Sequence, residues 1–157
     1  MKLSLSDRAW FDKVLRAITA VENGPSAADL AQAPLLSDWK PAISSLGHVM
    51  LWGEVTDHPI LGNASITTSQ LIAINSEAGW ARTASRWYRL GRDVDAVDTE
   101  LTESLQGKGP LAGSFKLIPP GFTNINDPEL LAQFLAKFIE RVHEVDNADR
   151  VASAKGA

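Results

Sequence analysis

Apolar residues recur at helical spacing near both ends of the chain. In the first such stretch the apolar residues would share one face of a helix: Trp10, Phe11, Val14, Leu15, Ile18 and Val21. Ser4 or Ser6 can cap this helix, because a serine hydroxyl accepts a hydrogen bond from an otherwise unpaired amide. Gly24 and Pro25 end it. The pattern therefore predicts an amphipathic N-terminal helix.

A second, short helix is predicted from a Ser26 cap to about Gln32. Pro34 ends it, because proline disfavours helical backbone in the residue before it. The following residues, "SDWKP", are predicted to form a connector that places Trp39 on the core.

The last predicted helix begins with Asp127 as its cap, Pro128 in its first turn and Glu129 after it. Its apolar stripe is wide and consists of Leu130, Leu131, Phe134, Leu135, Phe138, Ile139 and Val142. The stretch from about residue 147 onward is predicted to be a flexible tail, as chain ends commonly are.

The middle of the chain changes from helical spacing to short runs rich in β-branched and aromatic residues. Three strands are predicted, over residues 48–55, 64–74 and 80–90, and turn-prone segments separate them. Short connections favour neighbouring antiparallel strands. Both faces of the second strand carry apolar residues, so both are expected to be partly covered.

These patterns predict an α+β domain over residues 1–146, with a flexible tail over 147–157. The expected architecture is a three- to four-stranded antiparallel meander packed by the N-terminal and C-terminal amphipathic helices. The acidic stretch at 94–105 is predicted to be a further helix. Residues 107–126 are predicted to be a Gly/Pro-rich loop with one short strand at "SFKLI".

Composition removes several classes of chemistry. The 157 residues contain no cysteine, which excludes disulfides, thiolate metal sites and cysteine nucleophiles. No apolar run approaches the roughly 20 residues that span a bilayer, and the start of the chain lacks a signal-peptide pattern. The protein is therefore expected to be cytoplasmic and not to bind a membrane.

Charge is unevenly distributed along a chain whose net charge is -4. The stretch "GWARTASRWYRLGR" (79–92) contains four arginines and no acid, and five acidic residues follow within 93–103. The two blocks adjoin, so they could neutralise each other in the fold. If 80–90 is one strand, arginines fall on both of its faces unless a bulge shifts the register.

The arginine-aromatic stretch is the main candidate binding surface. Its candidate contact residues are Arg82, Arg86, Trp87, Arg89 and Arg92. Arginine and tryptophan are favoured at protein interfaces, and they can also pair with phosphates and stack on bases. A third interpretation is structural, with the aromatic rings in the core and the arginines paired with the acidic block.

Candidate catalytic and metal-binding groups are sparse. His48, His58 and His143 show no metal-ligand spacing, so no metal and no cofactor are expected. His58 precedes a proline in a turn, where hydrogen bonding to the backbone is the ordinary role. A small hydrolase would have to use His58 with Ser69 or Asp57.

The central block "GEVTDHPILGNASITTSQLIAINSEAGWARTASRWYRLG" resembles an uncharacterised family of small alphaproteobacterial proteins, often borne on plasmids or other mobile elements. The preceding "ADLAQAPLLSDWKP" resembles the same family, so the resemblance covers roughly residues 26–92. It implies no catalytic residues, because the family has no assigned activity.

The sequence thus favours a non-enzymatic accessory or regulatory protein that binds another protein or a second copy of itself. A nucleic-acid-binding protein using residues 80–92 is the first alternative, and a small hydrolase-like enzyme is the second. A pI near 5.3 weighs against DNA as the partner.

Overall fold

The computed structural model describes residues 2–93 and 121–156. In chain order its elements are α1 (Leu5–Asn23), α2 (Ala27–Gln32), β1 (Leu35–Ser44), β2 (Val49–His58), β3 (Gly62–Thr67), β4 (Leu71–Asn75), β5 (Trp80–Thr83), β6 (Trp87–Leu90), β7 (Phe122–Asn124) and α3 (Pro128–Lys155). The fold is α+β, as the sequence predicts. The helix predicted at 94–105 and the strand predicted at "SFKLI" lie outside the described residues.

The described strands form one mixed sheet in the order β3-β2-β1-β6-β5-β4, with β7 beside β1. All pairs are antiparallel except β1 with β6. The predicted meander of three to four antiparallel strands is therefore too small, and it lacks the parallel pair. Strand β1 was predicted to be a connector, and β7 lies in the predicted loop. The predicted strands over 64–74 and 80–90 are each two strands, β3 with β4 and β5 with β6.

Strand β1 contains residues that disfavour a regular strand, and its irregular backbone accommodates them. Its register against β2 shifts between Ser37 and Lys40, and Asp38 has a left-handed φ of 51°. Pro41 lies between the β6 ladder, which ends at Leu36, and the β7 ladder at 42–44. Proline is tolerated where a strand is interrupted in this way.

The sheet curls so that its two end strands approach each other where a short link joins them, without pairing. Strands β3 and β4 stand at opposite ends of the strand order, yet only residues 68–70 join them. That link reaches about 14 Å, whereas six strands laid flat spread over about 24 Å. The link bonds to both sides, since Thr68 N donates to Leu51 O and Ala84 N donates to Gln70 O. The result is a curled sheet whose end strands, β3 and β4, do not pair with each other.

Two apolar clusters lie on either side of β4. Leu71 belongs to the cluster inside the sheet, which contains Leu36, Leu51, Val55, Tyr88 and residues of α3. Ile72 belongs to the outer cluster, where α1 and α3 pack on the sheet. Successive side chains of a strand point to opposite faces of the sheet, so these neighbours enter different clusters. Both faces of β4 are therefore covered. The sequence predicts this for one strand over 64–74, but that stretch is two strands, and most residues of β3 are exposed.

Cluster of charges between the two long helices

The N-terminus is held to the far end of α3 by a cluster of charges. The Arg8 guanidinium contacts Asp146 at 2.7 Å and Asp149 at 3.0 Å, and it also pairs with Asp12. The amide of Leu3 donates to Asp149 at 2.6 Å. Both Asp146 and Asp149 are buried. Residues 147–155 were predicted to be a flexible tail. Next to these contacts they are helical and continue α3 to Lys155.

We expect this cluster to make the fold sensitive to acid. The Leu3 amide and then the Arg8 guanidinium hold the pKa of Asp149 below its ordinary 3.8. For Asp146 the largest effect is burial, which raises the pKa, but hydrogen bonds from Arg150 and Arg8 outweigh it, so this pKa is also lowered. Because both folded pKa values are depressed, their stabilisation is present above about pH 4 and lost as pH falls through the folded values.

Urea denaturation of the native chain and an Arg8→Met variant from pH 7 to pH 3 checks this expectation. The native free energy of unfolding should fall more steeply below about pH 4.5 than that of the variant. Parallel curves for the two proteins would show that Arg8 does not lower these pKa values.

Candidate functional site

The predicted strand over 80–90 is a hairpin. Strands β5 and β6 pair so that Trp80 lies opposite Arg89 and Arg82 lies opposite Trp87. The turn between them, residues 84–86, reverses the chain. Arg82 and Arg89 therefore share one face with the two tryptophans, whereas a continuous strand would have placed these arginines on opposite faces.

The aromatic side chains of this hairpin are structural. Trp87 is 8% exposed, and the Trp80 ring meets it edge-on at 5.3 Å with an interplanar angle of 82°. The Arg82 guanidinium lies 5.3 Å from the Trp87 ring centroid, and its Nε donates to Thr83 O. Arg82 thus shields the Trp87 ring through a cation–π contact.

Two further arginines bind neighbouring segments of the chain. Arg89 Nε donates to Ala33 O at 2.9 Å, directly after α2. Arg92 Nε lies 3.8 Å from Asp38 Oδ1, in the irregular part of β1. Within the described residues the Arg86 guanidinium has neither a hydrogen bond nor an ion pair. The contact role predicted for Arg82, Arg86, Trp87, Arg89 and Arg92 stays a prediction.

An apolar cleft of about 550 Å³, which we call the α3 cleft, lies among the described residues. It lies where α3 crosses β4 and the middle of β1. Its apolar lining consists of Trp39, Pro41, Ile72, Ala73, Ile74, Ile125, Pro128, Leu131, Ala132, Leu135, Ala136 and Ile139. A pocket of this size and lining is typical of a binding site for a small or extended apolar group.

The walls of the α3 cleft follow from the irregularity of β1. Where β1 leaves β6, Trp39 turns its indole toward the segment after β6, and Nε1 donates to Gly91 O at 2.9 Å. Opposite, Leu131 and Leu135 face the sheet from one side of α3. Ala132 and Ala136 are the next positions around that helix, and they are exposed at the cleft.

A few polar groups stand among the apolar walls. Lys40 is only 4% exposed, and both it and Asp93 have interaction partners. Asp127 lies at the exposed end of the cleft, where its Oδ1 accepts the amide of Glu129 as the cap of α3. The charge that the cleft presents to solvent at this end is therefore negative.

Strand β4 lines one wall of the cleft and is also an end strand of the sheet. Among the described strands it pairs with β5 alone, so the amides and carbonyls of its other edge have no ladder partner there. An open edge beside an apolar groove can accept an extended chain by main-chain hydrogen bonding. The sequence contained no signal for this site, because its walls come from three segments far apart in the chain.

The residues of the hydrolase alternative are engaged elsewhere. His58 Nδ1 accepts the amides of Ile60 and Leu61 at 3.1 and 3.0 Å, which is the backbone role that the sequence predicts for it. Ser69 Oγ lies 3.0 Å from Ser85 Oγ. Among the described residues no group of three His, Asp or Glu side chains could hold a metal ion.

None of the helices in residues 2–93 and 121–156 combines the length and the apolar composition needed to cross a bilayer. A protein-family model described as a family of unknown function (DUF6634) matches residues 1–157. No curated protein and no solved structure matches the chain.

Proposed function

Since the chain belongs to this family of unknown function, its role must be inferred from its own surface, and we propose that it is a non-enzymatic accessory or regulatory protein that binds a partner protein. The partner would place an extended apolar segment in the α3 cleft. The observation that carries the proposal is the coincidence of apolar walls with the open edge of β4. Main-chain hydrogen bonds would supply affinity, and the walls would select side chains.

The charge at the exposed end of the cleft favours a partner segment with a basic residue at one end. Asp127 is exposed there, and the whole chain carries a net charge of -4. Complementary charge mainly steers association and selects orientation. An apolar segment flanked by lysine or arginine is therefore the expected ligand.

Nucleic-acid binding by residues 80–92 stays an alternative prediction. The internal contacts of Arg82, Arg89 and Arg92 favour the protein-binding proposal over it, because a guanidinium already engaged gains less from a phosphate. The hydrolase alternative draws no support from the contacts of His58 and Ser69. The cytoplasmic location, a homodimer and an alphaproteobacterial mobile-element origin also stay predictions.

Peptide selection followed by a charge substitution tests the proposal. We expect displayed 12-residue random peptides selected on the native protein to be apolar with a basic flank. An Ala132→Lys variant should weaken their binding at least about tenfold, since an ammonium group in the cleft would lose water without gaining a partner and would repel the basic flank. Fluorescence anisotropy of labelled peptides measures the dissociation constants.

Gln133→Lys is the matched control, because residue 133 is the exposed neighbour of Ala132 on α3 and does not line the cleft. It adds the same charge and should leave peptide affinity within about twofold of native. Equal weakening in both variants would assign the effect to net charge. Failure to enrich any apolar peptide would contradict the proposal.

A further inference from the structure

The turn between β2 and β3 is organised by one buried imidazole. His58 ends β2 and is 8% exposed, and its Nδ1 accepts the amides of Ile60 and Leu61 at 3.1 and 3.0 Å. Two residues with left-handed backbone flank the turn, Asp57 with φ 61° and Gly62 with φ 66°. The turn therefore depends on a side-chain acceptor for two of its amides.

This arrangement requires a neutral histidine. An imidazole ring with an unprotonated Nδ1 can accept hydrogen bonds there, and its single proton then resides on Nε2. The imidazolium ion carries a proton on both nitrogens and accepts none. Protonation of His58 would place an Nδ1–H donor opposite the amide donors of Ile60 and Leu61, so both hydrogen bonds would be lost.

The surroundings of His58 oppose its protonation. The Tyr88 ring of β6 lies 6.4 Å from the imidazole between ring centroids, and Tyr88 is itself buried. Arg86, in the turn between β5 and β6, adds positive charge. Burial first and Arg86 second lower the pKa of His58 from its ordinary 6.5. On its own strand, Asp57 is exposed and donates its amide to Asn63 Oδ1.

The turn presents apolar side chains to solvent. Ile60 is 78% exposed and Leu61 is 52% exposed, although both belong to a short turn with a defined backbone. The hydrogen bonds to His58 hold the amides of these same two residues. Protonation of the imidazole ring therefore acts directly on the segment that carries the exposed apolar side chains.

We propose that the β2–β3 turn is an acid-responsive element, in which neutral His58 holds Ile60 and Leu61 in place and protonated His58 releases them. The element is separate from the α3 cleft, and the proposal does not depend on the function proposed for that cleft. Because the folded pKa is depressed, the held form is complete above pH 6.5 and is lost as pH falls through the folded value.

NMR titration of the whole chain from pH 8 to pH 5 tests this element. The neutral ring should show the tautomer protonated on Nε2. As pH falls below 6.5, the His58 ring and the amides of Ile60 and Leu61 should change together, with one shared midpoint. Below that midpoint the held population should decrease by about tenfold per pH unit, as expected for a single linked proton.

Two variants separate the switch from a purely structural role. In His58→Asn an amide oxygen can accept the same two hydrogen bonds without titrating, so the Ile60 and Leu61 amides should become insensitive to pH. His48→Asn removes an exposed histidine and should leave their titration unchanged. A native ring that stays neutral to pH 5, amides with a different midpoint from the ring, or an unchanged titration in His58→Asn would each overturn the proposal.

Discussion

A Leu36→Ala substitution is expected to lower the free energy of unfolding by about 2–5 kcal/mol, the range for removing a buried leucine side chain from a packed core. Leu36 is fully buried in the inner cluster. It lies opposite Val55 on one side of β1 and opposite Leu90 on the other. The cavity would therefore open at the one point where the parallel and antiparallel parts of the sheet meet.

Urea denaturation monitored by tryptophan fluorescence measures this effect as a lower midpoint with little change in slope. Leu46→Ala is the control, because Leu46 is 84% exposed in the turn between β1 and β2. It should change stability by less than about 0.5 kcal/mol. A Leu36→Ala variant as stable as the Leu46→Ala variant would contradict the position of β1 at the centre of the sheet.

A Gly53→Ala substitution is expected to destabilise the protein by about 1–3 kcal/mol through overpacking. A Cβ at Gly53 would lie 2.7 Å from Ser37 O and 3.1 Å from the Cα of Trp39. Both neighbours belong to the backbone, so relief requires β1 to move away from β2. The sign of this change in stability is informative, because replacing glycine with alanine inside an ordinary strand usually stabilises the protein.

Thermal or urea denaturation measures the Gly53→Ala effect, with Gly156→Ala as its matched control. A Cβ at Gly156 would have its nearest neighbour, Ala152 O, at an ordinary 3.5 Å. Because Trp39 lines the α3 cleft, Gly53→Ala should also weaken the binding of the peptides that were selected on the native protein. A stabilised Gly53→Ala variant would show that β1 does not approach β2 so closely.

The helices could be predicted from the sequence because their signals are local. Ser4 caps α1, Ser26 caps α2, and Asp127 with Pro128 begins α3, all as predicted. Each cap depends on a side chain and an amide two or three residues away. Helix periodicity is likewise contained within a few turns of one segment.

The sheet was predicted only in part because strand pairing depends on distant residues. The segment of β1 contains Asp38 and Pro41, which locally indicate a connector. It becomes the central strand because β2 and β6 lie on its two sides. Within residues 80–90 the turn at 84–86 has the sequence Ala-Ser-Arg, without glycine, proline or asparagine, so the local sequence does not reveal the hairpin.

The features of the candidate site were likewise predicted from the sequence only in part. The backbone role of His58 was predicted, because a histidine before a proline in a turn has amides within reach. The α3 cleft was not, since Trp39, Ile74 and Leu135 become neighbours only when the sheet curls beneath α3.

The sequence by itself determined the α+β class, the ends of α1 and α2, the start of α3 and the absence of cysteine chemistry. Those properties depend on composition and on contacts between residues close in the chain. Tertiary structure alone decided the sheet order, the hydrogen bond from Arg89 to Ala33, and the existence of the α3 cleft. Each of these joins residues far apart in the chain, and such contacts are favourable only once the whole core forms.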